Sequence, residues 1–150
     1  MRGIILALAL FAEIAAGPAR ADWAEEVRAT YERFAAAQNA HDLRRVRELL
    51  LDSLQFLWVS DGMSVWGREA MLERMASFQE AEVWRVEPDL ARAEPVWVSE
   101  ATAFLNLPLT LVIGSQSSPD RLRFLVSMLC VRGVDGWRIA ALFTTNAKSP

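Results

Sequence analysis

Two stretches near the C-terminus, ATAFLNLPLTLVIG (Ala101–Gly114) and RLRFLVSMLCVR (Arg121–Arg132), constrain the fold more than any other part of the chain. Each is long, rich in branched and aromatic residues, and reads as a strand. An antiparallel strand with one wet face alternates apolar and polar residues. These two do not. Only Ser127 interrupts Phe124–Val131, and only Asn106 and Thr110 interrupt Leu105–Ile113. The sheet they build needs cover on both faces. Helices can supply one cover. A second copy of the chain is the simplest source of the other, so a homodimer through the sheet is expected.

The helices come first. Asp22 and Glu25 have the spacing of a helix cap, and Val27, Tyr31, Phe34 and Ala35 recur as a helical stripe. Asn39-Ala40-His41 breaks that stripe. Asp42 then caps a second helix carrying Leu43, Val46, Leu49 and Leu50. LQFLWVS reads as a strand, Asp61-Gly62 as a turn, and Val65-Trp66 as a short strand. A third helix is expected from Arg68 to Phe78, with Met71, Met75 and Phe78 on one side. A meander of about four strands follows. Pro88 marks an edge or bulge, Pro108 a bulge, and SQSSPD a polar hairpin loop. Helices followed by a mostly antiparallel sheet make an α+β domain.

The first 21 of the 150 residues are not domain material. Arg2 precedes an apolar run from Ile4 to Ala12, and Ala19-Arg20-Ala21 has the small-x-small form of a signal-peptidase site. Residues 1–21 are expected to be a secretory signal and 22–150 a single domain. An uncleaved anchor is the alternative, disfavoured by Glu13 and Pro18 in a run well short of ~20 apolar residues. Cleavage implies an exported protein, periplasmic or secreted, with no stable membrane insertion. Losing Arg2, Arg20 and Glu13 from 16 basic and 19 acidic residues leaves 14 and 18, a net charge of about −4. Nucleic-acid binding needs a basic patch, and the longest basic run is two residues. One histidine and one cysteine, far apart, fit no zinc spacing, and no metal or other cofactor is expected. Cys130 in VSMLCV reads as a small buried hydrophobe.

This element order, with FAAAQNAHDLRRVRELL, WGREAML and DGWRIA, resembles the nuclear transport factor 2-like superfamily, in its SnoaL-like and ketosteroid isomerase-like branches. The likeness spans roughly Ala24 to Asn146. It implies a cone, a strongly curved sheet wrapped by three helices around an apolar pocket. This superfold hosts many unrelated functions, so activity has to be sought in the residues. The resemblance makes His41 the x of an N-A-x-D-L turn outside the pocket mouth and Asp42 a helix cap worth ~1 kcal/mol. It also places the isomerase-type tyrosine position on Phe34 and the carboxylate-base position on Trp58. Neither replacement can move a proton.

Independently of any family, acid–base catalysis needs a titratable group within reach of the substrate. The strands offer almost none. The weak candidates are Asp61 in a turn, Glu87 and Asp89 around Pro88, Glu100 at a strand end, and Tyr31 on the first helix. Ser127 lacks a base partner, and no nucleophile elbow, phosphate loop or zinc-protease motif occurs. The positive signal is aromatic and soft apolar content. A ligand pocket is expected from Phe34, Trp58, Trp66, Met75, Phe78 and Phe143, with Asn106 as polar contact. A one-residue slip in strand register would invert the strand members of that set. Three readings stand, in this order: a non-catalytic binder of a small apolar molecule, a SnoaL-like cyclase, dehydratase or isomerase, and a protein-interaction module whose cone is packed shut.

Overall fold

The stripe of the first helix is what the molecule is built on. The computed structural model describes residues 19–148. Helix α1 (Ala19–Asn39) buries Trp23, Val27, Tyr31, Phe34 and Ala35, spaced so that all lie on one side. Thr30 is also fully buried, and its hydroxyl donates to the Glu26 carbonyl at 2.8 Å. The chain leaves α1 through His41, which is exposed and left-handed at φ 53°. Asp42 accepts the Arg45 N–H at 2.9 Å and so caps α2 (Leu43–Leu49), which buries Val46 and Leu49. The side chain of Asn39 fastens the end of α1 to the sheet. Its amide donates to the Val86 carbonyl at 2.9 Å and accepts the Val86 N–H at 2.7 Å.

Strands β1 (Leu57–Ser60) and β2 (Met63–Trp66) form a tight hairpin around Asp61 and Gly62, both at positive φ. Helix α3 (Arg68–Phe78) buries Met71, Leu72 and Met75. Five strands follow: β3 (Val83–Pro88), β4 (Glu94–Ser99), β5 (Thr102–Ser115), β6 (Ser118–Gly133) and β7 (Gly136–Asn146). The seven form one curved sheet in the order β2-β1-β7-β6-β5-β3, with β4 also on β5. Only the β1–β7 pairing is parallel. The result is the expected α+β cone, open rather than closed. Its core is filled from the sheet by Ala103, Leu105, Leu107, Val126, Met128 and Cys130, all 0–2% exposed. Burying a Leu or Met side chain of this kind stabilises by ~1.5–3 kcal/mol.

Some local expectations need correction. The segment expected to be a signal lies outside the described residues as far as residue 18. Because α1 begins at Ala19, Asp22 lies inside the helix rather than at its cap. The SQSSPD loop is mostly strand, since β5 and β6 pair up to Ser115↔Ser118. The β3–β7 meander has five strands rather than about four. Pro108 makes no bulge, because β5 and β6 stay in register through Pro108↔Leu125. Its carbonyl accepts the Asp89 N–H at 2.9 Å on the side facing β3 and β4. The N–H that proline lacks would point the same way. That is where β5 changes partner, from β3 at Pro88↔Leu109 to β4 at Glu94↔Asn106, with a single 3-10 turn between. The bulges lie elsewhere, at Trp97–Ser99 and opposite Leu129–Cys130.

Candidate functional site

Alternation along the strands divides the sheet into an inner face toward the helices and an outer face. On β5 and β6 the inner residues run Ala103, Leu105, Leu107, Leu109, Leu111, Ile113 and Leu122, Phe124, Val126, Met128, Cys130. On β3 they are Trp84 and Val86, paired with Ile113 and Leu111. On β7, Trp137 and Ile139 point inward, but the strand then slips. Cys130 pairs with Ile139 and Leu129 with Ala141, so Ala140 is an extra residue. Beyond it Leu142 and Thr144 face inward and Ala141 and Phe143 outward. Trp58 pairs with Leu142 and shares its face.

At one end of this inner face, here called the mouth, α3 meets the sheet in a cluster of rings. Phe78 stacks on Trp84, with centroids 5.9 Å apart and planes within 8°. It meets Trp58 edge-on at 6.2 Å. Arg74, one turn before Phe78, lays its guanidinium over both, 4.9 Å from the Phe78 ring and 5.6 Å from the Trp58 ring. Beside the cluster Leu111, Ile113 and Phe124 are half-buried and Leu122 is 44% exposed. These side chains form an apolar wall on the sheet side.

The expected pocket residues separate by face. Phe34, Trp58, Met75 and Phe78 are inside, and the first three are buried. Trp66, Asn106 and Phe143 are not with them. All three are on the outer face, which corrects their assignment to the pocket. Trp66 pairs with Leu57 on edge strand β2 and is 59% exposed, lining a shallow cleft with Leu54 and Arg68. Asn106 stands opposite Ser127 and donates to its hydroxyl at 2.9 Å and to the Val126 carbonyl at 3.3 Å. Phe143 has the parity of Trp137 and Ile139, and only the bulge at Ala140 turns it outward. Reading the strands for pocket residues missed Trp84 and Arg74. The alternation of Trp84 and Val86 with Arg85 and Glu87 could have found the first. The four-residue step back from Phe78 along α3 could have found the second.

The candidate acids do not converge on this site. Asp61 is exposed in the β1–β2 turn. Glu87 lies on the outer face between Arg121 (2.6 Å) and Arg85 (2.9 Å). The Arg121 hydrogen bond, with help from Arg85, holds its carboxyl below the usual range. Together the three side chains cover Val112, which is 2% exposed on that face. Asp89 caps the 3-10 turn, and Glu100 is exposed after β4. Tyr31 is buried edge-on against Phe34, and burial pushes its phenol above the ordinary value. Cys130 is fully buried with its thiol pushed up to about 12, which removes it as a nucleophile at neutral pH. Of the carboxylates carried on strands, Asp120 alone has inner parity, and it is exposed at the hairpin end of β6.

Solved structures with this fold are numerous. A candidate dehydratase of the NTF2-like family from Streptomyces avermitilis matches with TM-score 0.72 at 17% identity, over 83% of this chain and 97% of that one. An NTF2-like superfamily protein from Salmonella enterica serovar Typhimurium matches with TM-score 0.73 at 15% identity, over 87% and 95%. A cystatin-like-fold protein from Caulobacter vibrioides matches with TM-score 0.72 at 17%, over 84% and 90%. At such identities the likeness establishes the fold alone. No curated protein matches the chain. The SnoaL-like domain family matches residues 27–142, from Val27 on the buried stripe of α1 to the inward Leu142 beside Trp58, and the chain is therefore a member of the SnoaL-like family within the nuclear transport factor 2-like fold.

Proposed function

We propose that this SnoaL-like chain is an exported, dimeric binder that takes a small apolar molecule at the mouth of its cone and catalyses nothing. One observation carries the reading. The inner face at the mouth is walled by aromatic and aliphatic side chains that are only half covered, while the candidate acids lie on other surfaces. Apolar walls with few polar groups are what small-molecule sites are made of. Export rests on the composition of residues 1–21, and a periplasmic or secreted location follows from it. The dimer rests on the outer face, where Phe104, Leu125 and Val96 are 38%, 40% and 52% exposed alongside Leu129 and Phe143. Patches of this kind on a sheet are interface material. A second reading, a protein-interaction module with a filled cone, draws on the Phe78–Trp84 stack, which occupies the space between α3 and the sheet.

The test uses a neutral apolar dye, N-phenyl-1-naphthylamine, with mass measured in parallel. Wild type is expected to bind the dye and to run as a dimer at micromolar concentration. Leu122→Lys should abolish dye binding and keep the dimer. Leu125→Lys should do the reverse. A wild type that binds no dye removes the binder reading in favour of the filled cone, and a wild-type monomer removes the dimer.

A further inference from the structure

The aromatic cluster at the mouth is rich in donors and poor in acceptors. Arg74, like Arg33, Arg123 and Arg138, has no carboxylate within ion-pair distance among the described residues, and it alone of these four lies over aromatic rings. Its Nε is buried without a hydrogen-bond partner, and Nη1 makes one weak contact, to the Met63 sulfur at 4.0 Å. The indole N–H of Trp84, a residue 8% exposed, is likewise buried and partnerless. The indole N–H of Trp58 reaches only the Thr144 hydroxyl, at 3.5 Å. A donor buried without an acceptor is a cost to folding, and two within one ring cluster are uncommon. A fold that keeps such groups at a half-open apolar mouth keeps them for something other than stability.

Resting on the reading above that the mouth binds an apolar molecule, we propose that this molecule is an organic acid. Its anionic head pairs with the Arg74 guanidinium and its hydrocarbon body lies on Leu111, Ile113, Leu122 and Phe124. A guanidinium held between two rings at right angles, 4.9 Å from Phe78 and 5.6 Å from Trp58, carries N–H groups in a planar fork of the kind that a carboxylate accepts. The rings beside it limit the water that would compete. Asp120, the one strand carboxylate of inner parity, stands exposed at the hairpin end of β6 and makes no ion pair with Arg74.

The experiment compares decanoate with decanol, the same chain with and without the charge, by quenching of tryptophan fluorescence. Wild type should prefer decanoate. Arg74→Met, which keeps the stem and removes the charge, should weaken decanoate roughly ten- to hundredfold and leave decanol unchanged. It should also be at least as stable to urea as wild type, because it deletes an unpaired buried donor. Equal binding of both probes to wild type and variant would overturn the acid head while leaving the apolar binder intact. Equal weakening of both by the variant would reduce Arg74 to packing and also overturn it. Failure of wild type to bind either probe would remove both proposals.

Discussion

The two ends of the same pair of strands have opposite characters. From Ala103 to Leu107 and from Val126 to Cys130, the inner residues of β5 and β6 are 0–2% exposed beneath α1. From Leu109 to Ile113 and from Leu122 to Phe124, the same faces of the same strands are half-covered. Polarity does not separate the two ends, since the inner residues are apolar at both: Ala103, Leu105, Leu107, Val126, Met128 and Cys130 at the first, Leu109, Leu111, Ile113, Leu122 and Phe124 at the second. What differs is which helix lies above. The first end meets the continuous stripe of α1. The second meets the last two turns of α3, which bring Arg74 and Phe78, and only the C-terminal end of α1, where Asn39 holds Val86. One sheet thus carries a core and a candidate binding wall side by side, and the boundary between them is set by where the helices end.

Mutations can break that contrast. The largest effect is expected at the packed end. Met128→Ala should cost about 2–5 kcal/mol through lost burial and the cavity left behind, whereas Leu122→Ala at the mouth should cost under about 0.5 kcal/mol. Urea denaturation reads both, and equal costs would show that the mouth is packed as tightly as the core. An intermediate effect is expected where α1 is tied to β3. Asn39→Ala strips both backbone partners from Val86 and should cost about 1–3 kcal/mol, while the neighbouring His41→Gly, at an exposed left-handed position, should be neutral or slightly stabilising. A destabilised His41→Gly would give that imidazole a role beyond the bend.

The smallest effect concerns acid. The Glu87 carboxyl is held below its ordinary value in the folded chain by Arg121 and Arg85, so its contribution is present above the unfolded value and fades as pH falls through the folded one. Glu87→Gln should therefore slightly flatten the loss of stability below about pH 4.5 and change little at neutral pH. A large effect at pH 7 would mean that the cover over Val112 matters more than an exposed ion pair ordinarily does.

Much of this architecture is legible in the residues themselves. The stripe from Val27 to Phe34, the Asp42 cap, the Asp61-Gly62 turn and the third helix from Arg68 to Phe78 all carry local signals, and all are found. The site is legible only in part, for two reasons. Asn106 stands out as a polar residue among leucines, yet the alternation of Ala103, Leu105 and Leu107 already places it outside, where Ser127 satisfies it. Phe143 had no such warning. The parity of Trp137 and Ile139 points it inward, and nothing in IAALFTT announces that Ala140 is supernumerary. A bulge is decided by pairing with a strand ten residues away, and a sequence window along β7 does not contain that partner.

Ala140 has a genetic consequence. A deletion of its single codon would remove the bulge and leave Cys130↔Ile139, Leu129↔Ala141 and Met128↔Leu142 in unbroken register. Leu142 and Thr144 would stay on the face of Trp58, and Phe143 would stay on the face assigned to the second subunit. The strand would lose local twist there, and no side chain would change sides. Point substitutions tune the mouth and the outer surface separately, and at this position a length change spares both. Relatives with and without the extra residue should therefore carry the same residue types inward and outward beyond it.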